Sequence, residues 1–541
     1  MTTHSQLLNV TGANLIAGRE SRESSDRFTA FDPRTGDPGE LAFPEATPAE
    51  VAQAADAAAE ALDVLRAWPA ARIAGLLRAI AAHLEDVGDA LIHLADSETA
   101  LGPERLAGER ARTCAQLRAF ASVVEDGWHH EAIIDHRDPQ ATPPRPDLRR
   151  MQTPIGPVAV FGASNFPLAF SVPGGDTASA LAAGCPGVAK GHPSHPGTSE
   201  LCARVILAAA EDVAAPSGVF SLVHGRGHEV GQSLVLAPQI RAVGFTGSYR
   251  AGRALFDLGA GRQDPIPVYA EMGSVNPVIV TRRALAARGE QIAEGFVASM
   301  TAGAGQFCTK PGIVFAPEGD EGLEFVGHVA RLLRSAELGP MLNEAIWQGL
   351  GEQLAATAGI PGVETVVWGA RGAQGFRIAP SLFKADAKAF VDHPQLRAEH
   401  FGPSALVVTV PDGALSDTIS QLDGGLTATV HAEDDEADLA DLRRLLEAKA
   451  GRLVWNGFPT GAAVTFAQHH GGPYPATTAP AHTSVGATAI RRFQRPIAYQ
   501  DFPDSRLPAE LRESNPLNIP RLVDGRWVDR QPPGTRKTES P

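Results

Sequence analysis

The stretch GAGQFCTKPG, residues 303–312, sets Cys308 among glycines in a chain with only four cysteines in 541 residues. A thiol becomes a nucleophile when it is accessible and partly ionised, against an ordinary pKa of about 8.5. The neighbouring glycines leave the side chain uncovered and let backbone N–H groups point at a reacting oxygen. A free cysteine is also among the most buried residue types, so Cys308 alone reads equally as packing and as chemistry. A partner would decide. Glu271, in EMGSVNP, follows the apolar IPVYA and precedes Gly273. A carboxylate at such a strand end acts as a general base if desolvation raises its pKa towards neutrality. Asn165, in FGASNFPLAF, falls in a turn after a buried strand and offers an amide N–H to a developing oxyanion. An exposed glutamate or a turn-forming asparagine is the commoner reading of each taken singly.

These residues need a scaffold, and the chain supplies an alternating one. Residues 49–126 carry apolar side chains at three- and four-residue spacing and are rich in Ala, Leu and Glu, which predicts helices. After a Pro-rich break at 138–147, the strand-like runs PVAVFG, GVFSLV, IRAVGF and NPVIV alternate with the helical TSELCARVILAAAEDV and RAGRALFDLG. That order argues for α/β units around a mostly parallel sheet. A second alternating region runs from about 276 to 470, and the polar end after about 528 is expected to be disordered. Open sheets of this kind bind ligands where Gly-rich loops follow their strands. HGRGHEVG (Gly225, Gly227, Gly231) and GFTGSYRAG (Gly247, Gly252, with a helix start at Ser248) are two such loops. Lys190, in VAKGHPSHPGTSE, stands where it could reach a ribose or phosphate, or simply face solvent. His192 and His195 lack a carboxylate or third ligand at suitable spacing, and no CxxC pair exists, so no metal is expected.

Composition excludes several classes. The chain is 43% hydrophobic and 20% charged with a net charge of -15, and it has no clustered basic face for nucleic acid. No window of 18 apolar residues and no signal-peptide pattern occurs, so a reduced, cytoplasmic enzyme is expected, without a membrane.

In order, SNFPL, VAKGHPSHPGTSE, GFTGS, EMGSVNP, GAGQFCTKPG and AEHFGP resemble the NAD(P)-dependent aldehyde dehydrogenase superfamily over nearly the whole chain. The resemblance implies an α/β fold with a Rossmann-like cofactor domain (1–141 and 153–275) and a catalytic α/β domain (276–470). It also implies an oligomerisation β-flap (142–152 and 484–505) making a homodimer or homotetramer, with 506–541 left as a C-terminal tail. It makes Cys308 the nucleophile that forms a thiohemiacetal and then a thioester, Asn165 the oxyanion donor and Glu271 the base for hydrolysis. Lys190, Gly247, Ser248 and Gly252 would hold the adenosine and pyrophosphate end of the cofactor, and Glu399 with Phe401 the nicotinamide ribose. Many NAD-preferring members have an acid shortly after the lysine. Here KGHPSHP has none before Glu200, so NADP is expected, with Lys190 and Arg226 neutralising its 2′-phosphate, and NAD at lower preference. The lysine that many members carry in the next helix is replaced by Asp176, so a proton-relay role for it does not carry over.

FGASNFPLAFSVPGGDTASALAAGCP and HHGGPYPATT are most similar to members that oxidise 2,5-dioxovalerate (α-ketoglutaric semialdehyde) to 2-oxoglutarate, with fatty-aldehyde-oxidising members near. Arg105, Arg112 and Arg118 lie at near-helical spacing, either as an anchor for a substrate carboxylate or as a solvated face. A rival from another class is a cysteine hydrolase pairing Cys308 with a histidine such as His469, which would need no cofactor.

Overall fold

A computed structural model describes residues 9–336, 339–437 and 439–530; the last eleven residues of the expected tail lie outside these. After four short strands (Asn14–Ile16, Arg19–Ser21, Arg27–Phe31 and Pro38–Pro44) come four helices, Pro48–Arg66, Ala70–Asp86, Asp89–Thr99 and Pro103–Asp126, as the apolar spacing predicts. The first begins at a capping box: Thr47 accepts from the Glu50 amide, and the Glu50 carboxylate accepts from the Thr47 amide.

The strands then sort into sheets. Val158–Phe161, Gly187–Lys190, Phe220–Val223, Ala242–Thr246 and Val268–Glu271 form a parallel sheet with the first of them central, and Asn14–Ile16 and Arg19–Ser21 continue one edge antiparallel. The three inner strands, VAVF at 158, GVAK at 187 and FSLV at 220, are mostly apolar and nearly wholly buried, because helices cover both faces. Chain order runs outward from Val158–Phe161 in one direction and then in the other, which opens a crevice between it and Ala242–Thr246 at their carboxyl ends. A second seven-stranded sheet holds Val278–Val280, Ile313–Pro317, Ser404–Val410 and Gly425–His431 at its centre and Ala450–Trp455 at one edge. All its pairings are parallel except that of Val363–Val367 with Ser381–Asp386.

A third sheet corrects the expectation of a plain tail after 505. Leu148–Pro154 pairs with Gln494–Gln500, but Ile133–Asp135 on its other side is joined by Arg521–Val523 and then Arg526–Val528. Leu507, Leu511 and Ile519 complete a small core with Ala132, Ile134 and Met151. Gly127, with φ +75°, ends the fourth helix there, and a Cβ on it would lie 2.2 Å from Ile519 Cγ2. This packing is what orders a segment whose composition reads as a tail.

Candidate active site

The crevice is a cleft of about 1020 Å³. Asn165, Arg226, Gly247, Ser248, Glu271, Cys308, Glu399 and Phe401 line it, which brings eight of the ten candidate residues together. Lys190 and Gly252 stand behind its wall. Lys190 ends its strand and donates to the Gly225 carbonyl, and burial pulls its ammonium down to about 8. A Cβ on Gly252 would lie 2.7 Å from Met272 Cγ, so that glycine serves the close approach of helix Tyr249–Ala260 to the sheet. Ser248 is the N-cap of this helix and accepts from the Ala251 amide.

Local structure presents Cys308, the candidate nucleophile. Helix Arg282–Thr301 runs into a turn at Ala302–Gly305, where Gly303, Ala304 and Gly305 all have left-handed φ. Gly305 could not be replaced without collision, since a Cβ would come within 2.3 Å of the Gly402 backbone. Asn276 grips the loop from below, with Nδ2 donating to the carbonyls of Cys308 (2.8 Å) and Lys310 (2.9 Å). Its Oδ1 accepts from the hydroxyls of Ser274 and Thr427, so the whole amide is committed. This buried positioning residue belongs to EMGSVNP, and a buried side chain whose partners are backbone carbonyls and hydroxyls brought together by the fold leaves no spacing signal. Asn165 Nδ2 donates to the Gln306 carbonyl at 2.9 Å, which ties the loop after Val158–Phe161 to the nucleophile loop.

Cys308 Sγ lies 3.5 Å from Nε2 of His470, and that nitrogen lies 2.9 Å from Oε1 of Glu271. The three donor atoms are all within 4.8 Å of one another. The partner histidine is therefore His470 and not His469. Adjacent residues of an extended segment point to opposite sides, and nothing in HH says which side faces the thiol. His470 is fixed by its amide, which donates to the Thr483 hydroxyl, and Ser484 Oγ donates to Glu271 Oε2.

The electrostatics also differ from expectation at Glu271. Burial pushes its carboxyl up, but the His470 charge and hydrogen bonds from His470, Ser484 and Cys308 outweigh it and leave the group below its ordinary range. The thiol moves the other way. Burial first, and then the Glu271 charge, push Cys308 well above its ordinary value, so it rests protonated and needs a neighbour to take its proton. Burial also raises Glu399 to about 7 and lowers Lys310 to about 8, each opposed by the other's charge. Gly273 makes room for this acid, since a Cβ there would meet Glu399 Oε2.

Glu200, the first acid after Lys190, is fully buried and accepts from the Thr11 and Gly12 amides and from Arg204, so it does not reach the cleft. His192 and His195 stack with ring centres 5.4 Å apart, and His195 Nε2 contacts the Ala163 carbonyl. Asp176 pairs with the buried Arg492 at 2.7 Å. No helix among the described residues is long and apolar enough to cross a membrane.

The chain is 49% identical over 525 residues to alpha-ketoglutaric semialdehyde dehydrogenase 2 of Azospirillum brasilense, spanning 96% of this chain and 100% of that one. It is 42% identical to alpha-ketoglutaric semialdehyde dehydrogenase of Acinetobacter baylyi, over 95% of this chain and 98% of that one. Among solved structures, an NADP-dependent enzyme of E. coli superposes with a TM-score of 0.78 at 24% identity, covering 92% of this chain and 98% of that one, which speaks to the fold. The model of the aldehyde dehydrogenase family matches residues 20–473, and the chain belongs to that family.

Proposed function

We propose that the protein oxidises 2,5-dioxovalerate to 2-oxoglutarate with NADP. The substrate rests on one observation: near full-length similarity, at 49% and 42% identity, to two proteins named for that semialdehyde. The chemistry rests on the Cys308–His470–Glu271 line at the wall of a cleft large enough for a dinucleotide.

The cofactor fits the residues present, because Gly247 and Ser248 bring backbone to the crevice and Glu399 and Phe401 line its inner end. Bound there, NADP supplies the hydride acceptor. As Cys308 Sγ attacks the aldehyde carbon, the thiol proton passes to His470 Nε2, and Glu271 steadies the imidazolium that forms. The carbonyl oxygen takes the new charge. Its donors are the Cys308 amide and the second N–H of Asn165, whose first is held by Gln306. Once oxidised, the carbon is a thioester on Sγ. The imidazolium first gives its proton to solvent. The restored imidazole–carboxylate pair then takes a proton from water, whose oxygen attacks the thioester; the acid leaves, and the departing thiolate of Cys308 takes that proton back.

Support for NADP over NAD comes from the withdrawal of Glu200 into the core and from the exposed Arg226 on the cleft wall. Glu45, which accepts from the Gly227 amide on the same loop, opposes a further phosphate, so the preference is a balance. The first sheet with its helices (1–141 and 153–275) then serves the cofactor, and 276–470 carries the nucleophile. Segments 142–152 and 484–505 join copies into a homodimer or homotetramer, acting in the cytoplasm where the thiols stay reduced.

The test is reduction of NADP and of NAD with 2,5-dioxovalerate and with hexanal, using Cys308→Ala as the blank. The highest kcat/KM with the dioxo acid and NADP is the expected result, and Arg226→Ala is expected to cut the NADP-to-NAD ratio about tenfold or more. A higher value for hexanal rejects the substrate, and an unmoved ratio rejects Arg226 as the phosphate partner.

A further inference from the structure

Helix Pro103–Asp126 carries four arginines, and the fold treats Arg105, Arg112 and Arg118 differently. Arg118 is exposed and bridges Glu85 through both terminal nitrogens, at 2.7 and 2.5 Å. Arg105 gives one nitrogen to the Asn165 carbonyl at 2.7 Å and lies 4.7 Å from the centre of the Phe307 ring, beside the nucleophile. The buried Nη1 atoms of Arg105 and Arg110 also lack a partner, but Arg105 makes one short hydrogen bond and Arg110 acts on Glu85 and Cys114. Arg112 is left incomplete beside the reacting pair. Its Nη2 makes only a 3.4 Å contact with the Ala462 carbonyl, and its Nη1 is shut off from solvent with no hydrogen-bond partner. Among the described residues no carboxylate comes within ion-pair distance of it.

The guanidinium faces the reacting centre. It stands 5.0 Å from the Phe170 ring, that ring is 6.1 Å from the His470 ring, and the Arg112 charge interacts with both Cys308 and Glu271. Glu109, one turn earlier, also acts on it, but Glu109 Oε1 is occupied by the amides of Leu168 and Ala169, and burial pushes that carboxyl up. A buried cation with an unanswered N–H costs free energy unless something completes it. A planar guanidinium answers a carboxylate with two parallel hydrogen bonds.

We infer that Arg112 is the anchor for a carboxylate at the far end of the substrate, and that the ligand class is the semialdehyde of a short dicarboxylic or oxo-dicarboxylic acid. This rests on the proposed oxidation of 2,5-dioxovalerate and names the residue that would select it. Three carbons separate the aldehyde carbon of that acid from its carboxylate carbon, a reach that suits a guanidinium one aromatic ring away from the nucleophile's base. Arg105 is a positioning residue, acting through the Asn165 loop.

The experiment compares Arg112→Met and Arg112→Lys with the parent enzyme, all checked for folding by circular dichroism. The ratio of kcat/KM for 2,5-dioxovalerate to that for hexanal is expected to fall about a hundredfold in Arg112→Met, with the loss in KM, and less in Arg112→Lys. Losses of equal size on both aldehydes, or no change in the ratio, overturn the anchor. A separate measurement keeps this distinct from the substrate proposal. Glutarate binding is titrated calorimetrically against the parent and Arg112→Met, each saturated with NADP. If the parent does not prefer 2,5-dioxovalerate but binds glutarate and Arg112→Met does not, the anchor stands and the named substrate fails. Equal glutarate binding by both rejects the anchor whatever the substrate.

Discussion

His470 is the residue on which the proposed mechanism turns, because among the described residues no other imidazole lies within hydrogen-bond distance of a thiol held protonated by burial and by a neighbouring carboxylate. His470→Ala is expected to lower kcat/KM by about 10²–10⁴-fold and to move the remaining activity to higher pH, where Cys308 must ionise unaided; a pH–rate profile of the variant checks both. A profile that keeps its shape assigns the proton to another group. Glu271 gives a second prediction at this level. Its folded pKa lies below the ordinary 4.5, so the stability it contributes is present above that value and lost as pH falls through the lower folded one. Urea unfolding is therefore expected to show a steeper loss between pH 5 and 3 for the parent than for Glu271→Gln. Cys308, Glu271 and Asn165 were legible as candidates through the order of their motifs, since taken singly each reads at least equally well as a structural residue. Asn276 and His470 were not, since neither the burial of the one nor the direction of the other is written in spacing.

Helices and strands were the most legible part. PVAVFG, GVFSLV, IRAVGF and NPVIV all contain strands, and the helix expected to open at Ser248 does so through a side-chain cap. Pairing between elements was less visible. Asp176 sits near the start of helix Gly175–Ala182 and meets Arg492, which comes from a turn more than three hundred residues later. That pair explains the acid where many relatives carry lysine: a lysine would face a buried guanidinium. Asp176→Ala leaves Arg492 with only the Ser179 hydroxyl and the Ala489 carbonyl, and it is expected to cost about 3 kcal/mol in urea unfolding. Asp176→Lys should be worse, and a neutral outcome for it would mean that the pair does not hold this helix.

Across the whole molecule the C-terminal segment has the largest structural consequence. Removing residues 513–541 takes away Ile519 and the strands at 521–523 and 526–528, leaving Ile133–Asp135 as an open edge beside Ala132 and Ile134. An exposed edge with apolar neighbours invites association. The truncated chain is expected to melt several degrees lower and to show larger species in light scattering after size exclusion. Unchanged melting would mean that the third sheet needs only its strands at 133, 148 and 494.

The order of the motifs along the chain was enough for the family, the two α/β regions and a candidate nucleophile, because glycines, turn residues and hydrophobic period are local properties. Long-range contact decided the rest. It chose between two neighbouring histidines, drew Glu200 into the core, turned Arg112 inwards and Arg118 outwards, and ordered a segment that reads as a tail. The physical reason is the same in each case. Which way a polar side chain faces depends on what packs against it, and those neighbours lie tens to hundreds of residues away.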